Sequence, residues 1–432
     1  MLRSVSVDSG GARLGLLRSA RDFRLLFLAT LASSVGTWLA FVALVIDVFD
    51  RTGDARWVSA LLIVDFLPIV VIGLFAGPLL DRLPRRSILI VADLARALVF
   101  FVLPFTTSAL QIVALAFVAG VATSFFRPAS YAGLPNLVSD AELPRANGLV
   151  QSAENVAFAA GPVAGGALVA AAGTHPAYWF NGVTFVVSAY FIARIRKSLE
   201  EERGEREGHW REVVAGLDLV VHVRSLLAVL VAWSVAMLAL AATSVAEVVL
   251  AKVTFDAGDF GYGFLFAATG VGLVLGSLAT GSVVERRGAR VVYPIAIALM
   301  GIGFAGAATA PDVWSASAIL VLAGVGNGAA VVCNALLVQR GSPDRLRGRA
   351  FTVLMSSSYA VLGAGTVAAG PLTNSFGPRD MFAVAAGLAA LSSIVALLIL
   401  AGSDEEERGT RGEDEGVSEL VAPEERPIRQ AS

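Results

Sequence analysis

The sequence predicts an all-α membrane protein: twelve transmembrane helices in two pseudo-symmetric halves of six. Three observations carry this. The 432-residue chain is 56% hydrophobic and only 16% charged, whereas soluble domains carry about 25% charged residues. Its apolar residues gather into twelve runs, each close to or above the about 20 residues a helix needs to cross a bilayer core. Acids, arginines and glycines of the first half also recur in the second at one constant spacing. Inside lipid the backbone must satisfy its own hydrogen bonds, so each run reads as a helix.

The first run, 25–49, follows a polar, arginine-bearing segment, 1–24, and is too long for the apolar core of a cleavable signal peptide. Runs 57–80, 87–107, 110–132, 148–172 and 177–195 complete an N-terminal half spanning 25–195. Segment 196–225 is a charged linker. Within it, 209–224 mixes Trp, Val and Leu with Arg and Glu, the pattern of an amphipathic helix on a membrane surface. Runs 226–250, 260–284, 291–310, 313–338, 350–376 and 381–401 form the C-terminal half, 226–402. The tail, 403–432, holds ten acids, four arginines and no apolar run, so a disordered, solvated segment is expected.

Loops are short, so neighbouring helices are antiparallel. With both termini cytoplasmic, only Arg51, Arg56, Lys252 and Arg379 of the 33 lysines and arginines fall in outer loops. That asymmetry is the positive-inside signal, and it predicts a multi-pass protein of the inner membrane. Trp57, Trp179 and Trp314 each open a helix at the outer interface, where an amphipathic ring is stable.

The repeat has an offset of 204 positions, as Gly281 follows Gly77. The same offset pairs Asp81 with Glu285, Arg82 with Arg286, Arg86 with Arg290, Asp140 with Asp344, Arg145 with Arg349 and Gly161 with Gly365. Glycine matches are cheap in a chain with 43 glycines. Acids and arginines matched in two separate inner loops are not. The pattern implies an internal duplication with both copies in one orientation, an architecture in which the binding site lies between the halves.

The stretch GPLLDRLPRR resembles the signature of the major facilitator superfamily, Gly-x-x-x-Asp-Arg-x-Gly-Arg-Arg. Gly77, Asp81, Arg82, Arg85 and Arg86 match it, and Pro84 stands where the pattern has glycine. Its second-half copy carries Gly281, Glu285, Arg286, Gly288 and Arg290. VADLARAL, FFRPASYAGLPNLV, LPRANGL and GPVAGG are similar to the macrolide-efflux and enterobactin-exporter branch. The resemblance implies alternating access, with small-molecule substrate and protons as partners. A carboxylate at the inner surface is stabilised near a helix N-terminus by about 0.3–1 kcal/mol, and arginines beside it pair with carboxylates or phosphates. Asp81 and Glu285 are therefore expected to form an inner latch, against the starts of the eleventh and fifth helices. The arginines alone also serve as topology anchors.

Asp93 and Arg96, three apart on one helix face, are expected to pair, and Arg127 to pair or snorkel as a structural charge. Asp47 is expected to be wet at the outer end of the first helix. Asp65, Glu154 and Glu247 lie deeper, where an acid costs roughly 2.5–3.5 kcal/mol at mid-helix. Each either carries a proton or makes local hydrogen bonds. Gly161-Pro162, with Gly165 and Gly166, and Gly370-Pro371 suit hinges or close helix contacts. Phe41, Phe66, Tyr262 and Tyr359 are candidate cavity-wall residues.

The chain lacks a G-x-x-x-x-G-K-[ST] nucleotide loop, and its single cysteine and three histidines are dispersed. No enzymatic centre, cofactor, metal or nucleic-acid partner is expected, and a monomer is. The leading expectation is proton-coupled export of an amphipathic small molecule: a drug, macrolide or siderophore. Metabolite uptake by symport and a non-transporting sensor or scaffold are the alternatives.

Overall fold

The computed structural model describes residues 15–75, 83–199, 217–342 and 344–420. Among these the chain is helical, without strands. Its long helices are α1 (Arg21–Thr52), α2 (Ala55–Phe75), α3 (Arg85–Val102), α4 (Ala109–Gly133), α5 (Leu143–Ala172) and α6 (Thr174–Ala193). They continue with α7 (Arg224–Val249), α8 (Gly258–Arg287), α9 (Ala289–Thr309), α10 (Val313–Gly341), α11 (Asp344–Phe376) and α12 (Pro378–Leu420). Ten of them, all but α2 and α6, are long and apolar enough over the described residues to cross a membrane.

Local chemistry sets the ends, and it repeats. Ser108 caps α4 in a reciprocal box with Gln111, and Asp312 caps α10 in the same box with Ser315. Both boxes satisfy orphan N–H groups of a helix's first turn, and 108 and 312 differ by the same 204. Gly173 (φ 79°) and Gly377 (φ 88°) make the α5–α6 and α11–α12 turns, again 204 apart. Gly288 at φ 80° starts α9, but its counterpart Pro84 sits at φ −61° before α3. Here one left-handed turn has been replaced by an extended one, which proline's ring favours. Pro68 within α2 cannot donate a hydrogen bond to the Val64 carbonyl. Gly120 of α4 packs there: a Cβ on it would lie 2.8 Å from that oxygen.

Packing follows a regular scheme. In the first six helices α1 packs on α5 and α6, α3 on α4 and α6, and α2 on α4. Six helices later α7 packs on α11 and α12, α9 on α10 and α12, and α8 on α10. The principal contacts joining the two sets are α5 on α8 and α2 on α11.

Three expectations meet the structure here. The run 57–80 ends, as described, at Phe75, and residues 76–82 lie outside the described residues. Of the amphipathic linker helix, 217–222 is helical and 200–216 lies outside the described residues. The described helix α12 runs on to Leu420, into the segment 403–432 expected as a solvated tail. Acid-to-arginine spacings of four, Asp404 to Arg408 and Glu407 to Arg411, favour that helix in sequence. Residues 421–432 are outside the described residues.

Candidate functional site

The seam between the two sets of helices is closed at one end. That end carries the α1–α2, α5–α6, α7–α8 and α11–α12 turns; the opposite end carries the termini. On α5, a Cβ at Gly166 would meet the Asp259 carbonyl at 2.8 Å and the Gly263 Cα at 2.9 Å. On α11, a Cβ at Gly370 would meet the Ser59 Oγ at 2.4 Å, the Arg56 Cα at 2.8 Å and the Ala55 carbonyl at 2.9 Å. The contacts are copies of each other: 166 and 370, 55 and 259, and 59 and 263 all differ by 204. Small residues let backbones approach this closely, so Gly370 is a contact glycine, and the Pro162 carbonyl meets Gly263 in the same seam.

Polar groups fasten this closure. Asn374 donates from Nδ2 to Asp54 at 2.5 Å and accepts the Ala55 N–H at 3.1 Å. The Arg56 guanidinium, bonded to Asp54, holds that carboxyl down at about 2. A π-turn, Leu250–Thr254, ends α7 and carries Lys252. Its ammonium pairs with Asp50 at the end of α1 and with Asp259 of α8 at 2.6 Å. The ion pair therefore crosses the seam.

Toward the termini the seam parts. Gly148 near the start of α5 and Gly281 near the end of α8 are exposed: among the described residues, no atom of a packing neighbour lies within 4 Å of a Cβ built on either. Glu285 is exposed and makes no hydrogen bond to a described residue. Gly77, Asp81 and Arg82 lie outside the described residues. Arg85 instead donates to the Ala132 and Leu199 carbonyls, at 3.0 and 2.9 Å, and Arg86 to the Ala193 carbonyl. Arg286 is exposed and Arg290 half-buried. Arg85 and Arg86 thus bond to carbonyls at the ends of α4 and α6 and just beyond α6.

Between the closed end and the open one lies an aromatic cluster. Trp38 and Phe41 of α1, Phe158 of α5 and Phe266 of α8 meet with ring centroids 4.6–6.2 Å apart. Such tilted and edge-on pairs add about 0.5–1.5 kcal/mol each beyond their burial. Gly161 makes room for Trp38, whose Cβ would lie 2.6 Å from an added Cβ. Tyr262 joins the cluster through Phe266, at 6.4 Å. Near Tyr262 is Glu247, 7% exposed, with Oε1 lacking a hydrogen-bond partner. Phe41 and Tyr262 of the expected wall are thus brought together; Tyr359 is half-buried on α11, and the Phe66 side chain is outside the description.

The remaining charges are largely paired. Asp93 bonds Arg96, and the guanidinium lies 4.3 Å from both the Phe126 and Phe185 ring centroids. Cation–π contacts on two faces explain how so buried an arginine is held. Glu154 accepts from Tyr131 at 3.1 Å and from Arg127 at 3.4 Å, joining two residues weighed separately in the sequence. Asp65 is half-buried, with no described partner for its carboxylate. Asp47 corrects its expectation. It is buried, bonded by Tyr178 at 2.8 Å and by Arg51 at 2.7 Å, because Tyr178 of α6 covers it from lipid and water.

Sequence reasoning missed the seam roles of Asp54, Asn374, Lys252, Trp38, Phe158 and Gly263, whereas Gly166 was expected at a hinge or close helix contact. Gly166 was legible because it follows Gly161-Pro162 and, with Gly370, obeys the offset already found.

The chain resembles transporters along its length. A family model described as "Transmembrane secretion effector" matches residues 16–428. The MFS-type transporter YfiS of Bacillus subtilis is 24% identical over 396 residues, 89% of this chain and 94% of that protein. The multidrug efflux pump Tap of Mycolicibacterium fortuitum is 26% identical over 375 residues, 83% of this chain and 90% of that one. A crystal structure of a mutant of the nucleoside transporter NupG superposes with a TM-score of 0.73 at 12% identity, covering 88% of this chain and 99% of that one, a likeness of fold alone. With its helical architecture and a family match over nearly all its length, the chain belongs to the transmembrane secretion effector family of major facilitator superfamily transporters.

Proposed function

We propose that the chain exports amphipathic small molecules in exchange for protons, by alternating access between two six-helix halves of a monomer with both termini cytoplasmic. The seam carries the reading: duplicated glycine contacts close one end, the other end is parted, and a buried acid without a partner for Oε1 lies by the aromatic cluster between them. With the termini inside, this is the inward-open state. The aromatic cluster offers apolar and π surface to a flat or lipophilic substrate. Glu247 carries the proton, and substrate and proton binding oppose each other through the shared seam, which is what antiport needs thermodynamically. Asp81 and Glu285 latch the inner end when it closes. The similarity to the efflux pump Tap favours export over uptake.

The test is flux in proteoliposomes holding a fluorescent amphipathic dye. A proton gradient should drive dye against the proton flow, and reversing the gradient should reverse the dye. Dye moving with the protons would make the chain a symporter.

A further inference from the structure

On the flank of the first six helices, away from the seam, a cavity of about 460 Å³ opens at the terminus-bearing end. It is lined by Arg21 at the start of α1, Arg86 at the start of α3, and Ala193, Arg194, Ile195 and Arg196 where α6 ends. Four arginines thus share one cavity. The nearby acid is Asp22, with one oxygen 3.6 Å from Arg21 and the other accepting the Lys197 N–H at 3.0 Å. It offsets one positive charge and leaves a clear excess. Arg86 already donates to the Ala193 carbonyl and Arg194 lies over the Tyr190 ring, so two of the four guanidiniums are held in place by neighbours.

We propose that this cavity binds the phosphate of an anionic phospholipid headgroup from the leaflet facing the termini. Planar guanidinium forks match phosphate oxygens in pairs, and basic cavities between transmembrane helices on the cytoplasmic side suit lipid headgroups. The surroundings distinguish a lipid from a free anion. α3 and α6 pack on each other, and leading away from the cavity they present exposed apolar side chains: Val91 and Leu94 on α3, Val186 and Tyr190 on α6. Acyl chains attached to a bound headgroup lie along these faces, whereas a free phosphate has no use for them. The lipid ties together the ends of α1, α3 and α6, and so braces the first six helices as one body. This inference concerns the flank and stands whatever the direction of transport.

The experiment measures lipid binding to the purified full chain by native mass spectrometry and by melting temperature, with phosphatidylglycerol or phosphatidylcholine added. The proposal expects phosphatidylglycerol to be retained and to raise the melting temperature, and phosphatidylcholine to do neither. Each basic residue near an anionic membrane surface is worth about a fivefold gain in binding. The double variant R194Q/R196Q should therefore bind phosphatidylglycerol about 30-fold more weakly, as should R21Q/R196Q if the first pair fails to fold. Arg24→Gln, at the same end but outside the cavity, should bind normally. Equal retention of both lipids, or unchanged binding by the folded double variants, overturns the proposal. Displacement of phosphatidylglycerol by millimolar inorganic phosphate overturns it too, and assigns the cavity to a soluble anion.

Discussion

Asp93 and Glu247 are both buried acids in transmembrane helices, and their different surroundings underlie the opposite roles proposed for them. Asp93 has a guanidinium partner that two aromatic rings hold in place. Removing one member of such a pair strands the other's charge, at a cost of about 3–5 kcal/mol. Asp93→Asn should therefore lower the melting temperature sharply and reduce every transport activity together. Glu247 has no partner for Oε1 and no ion-pair partner among the described residues, so Glu247→Gln leaves no opposite charge stranded. It should keep the fold, substrate binding and energy-independent exchange, and lose gradient-driven export. Comparing exchange with driven flux in the same vesicles checks this; full pH-driven export in the variant would move the proton to Asp65 or Glu154. At the closed end Asp54 sets a pH window. Its carboxyl is lowered from 3.8 to about 2, so its contribution is fully present above about pH 4 and disappears as the pH falls through about 2. Closure through Asp54 should not change between pH 7 and pH 5. Asp54→Asn should loosen it throughout that range, exposing a thiol placed at the buried Ala55 to a membrane-impermeant reagent.

At the scale of elements, glycines separate packing from motion. A Cβ on Gly324 of α10 would lie 2.1 Å from the Thr269 carbonyl of α8, within the second set of helices. A Cβ on Gly263 of α8 would lie 2.4 Å from the Pro162 carbonyl, across the seam. Overpacking of the first kind acts in every conformation and should destabilise by about 1–3 kcal/mol. The second acts only when the seam is shut. Gly324→Ala should lower the melting temperature; Gly263→Ala should largely spare it and populate a state open at the α5–α6 and α11–α12 turns, read by thiol labelling there. Much of the helix layout was legible because apolar runs, basic loops and the charged repeat are properties of sequence alone. The seam was not. Gly263 looks like any of the 43 glycines until two helices meet. Trp38, Phe158 and Phe266 sit in helices so apolar that no face stands out. The pairing of Asp54 with Asn374 spans 320 positions of chain. Arg127 and Glu154 were visible separately, but α4 and α5 had to be placed before they became a pair.

At the scale of the whole molecule, the repeat becomes mechanism. The contacts α5–α8 and α2–α11 are equivalent; on the proposed mechanism the two sets of helices rock about this seam, and the end that closes sets which side the substrate sees. On this proposal a proton or substrate shifts the equilibrium by binding one of the two states more tightly. The central claim is that the two ends open reciprocally. It is tested most directly by two spin-label distances in lipid nanodiscs, one from Thr107 to Pro311 across the closed end and one from Asn147 to Ser282 across the parted end. At rest the first should be short and the second long. Lowering the pH from 9 to 5, a range in which Asp54 holds its charge and its own contribution to closure is constant, should create a population in which the first lengthens and the second shortens, with equal amplitudes. Glu247→Gln should abolish that response to pH. Two distances that stay fixed, or lengthen together, would contradict alternating access in this chain.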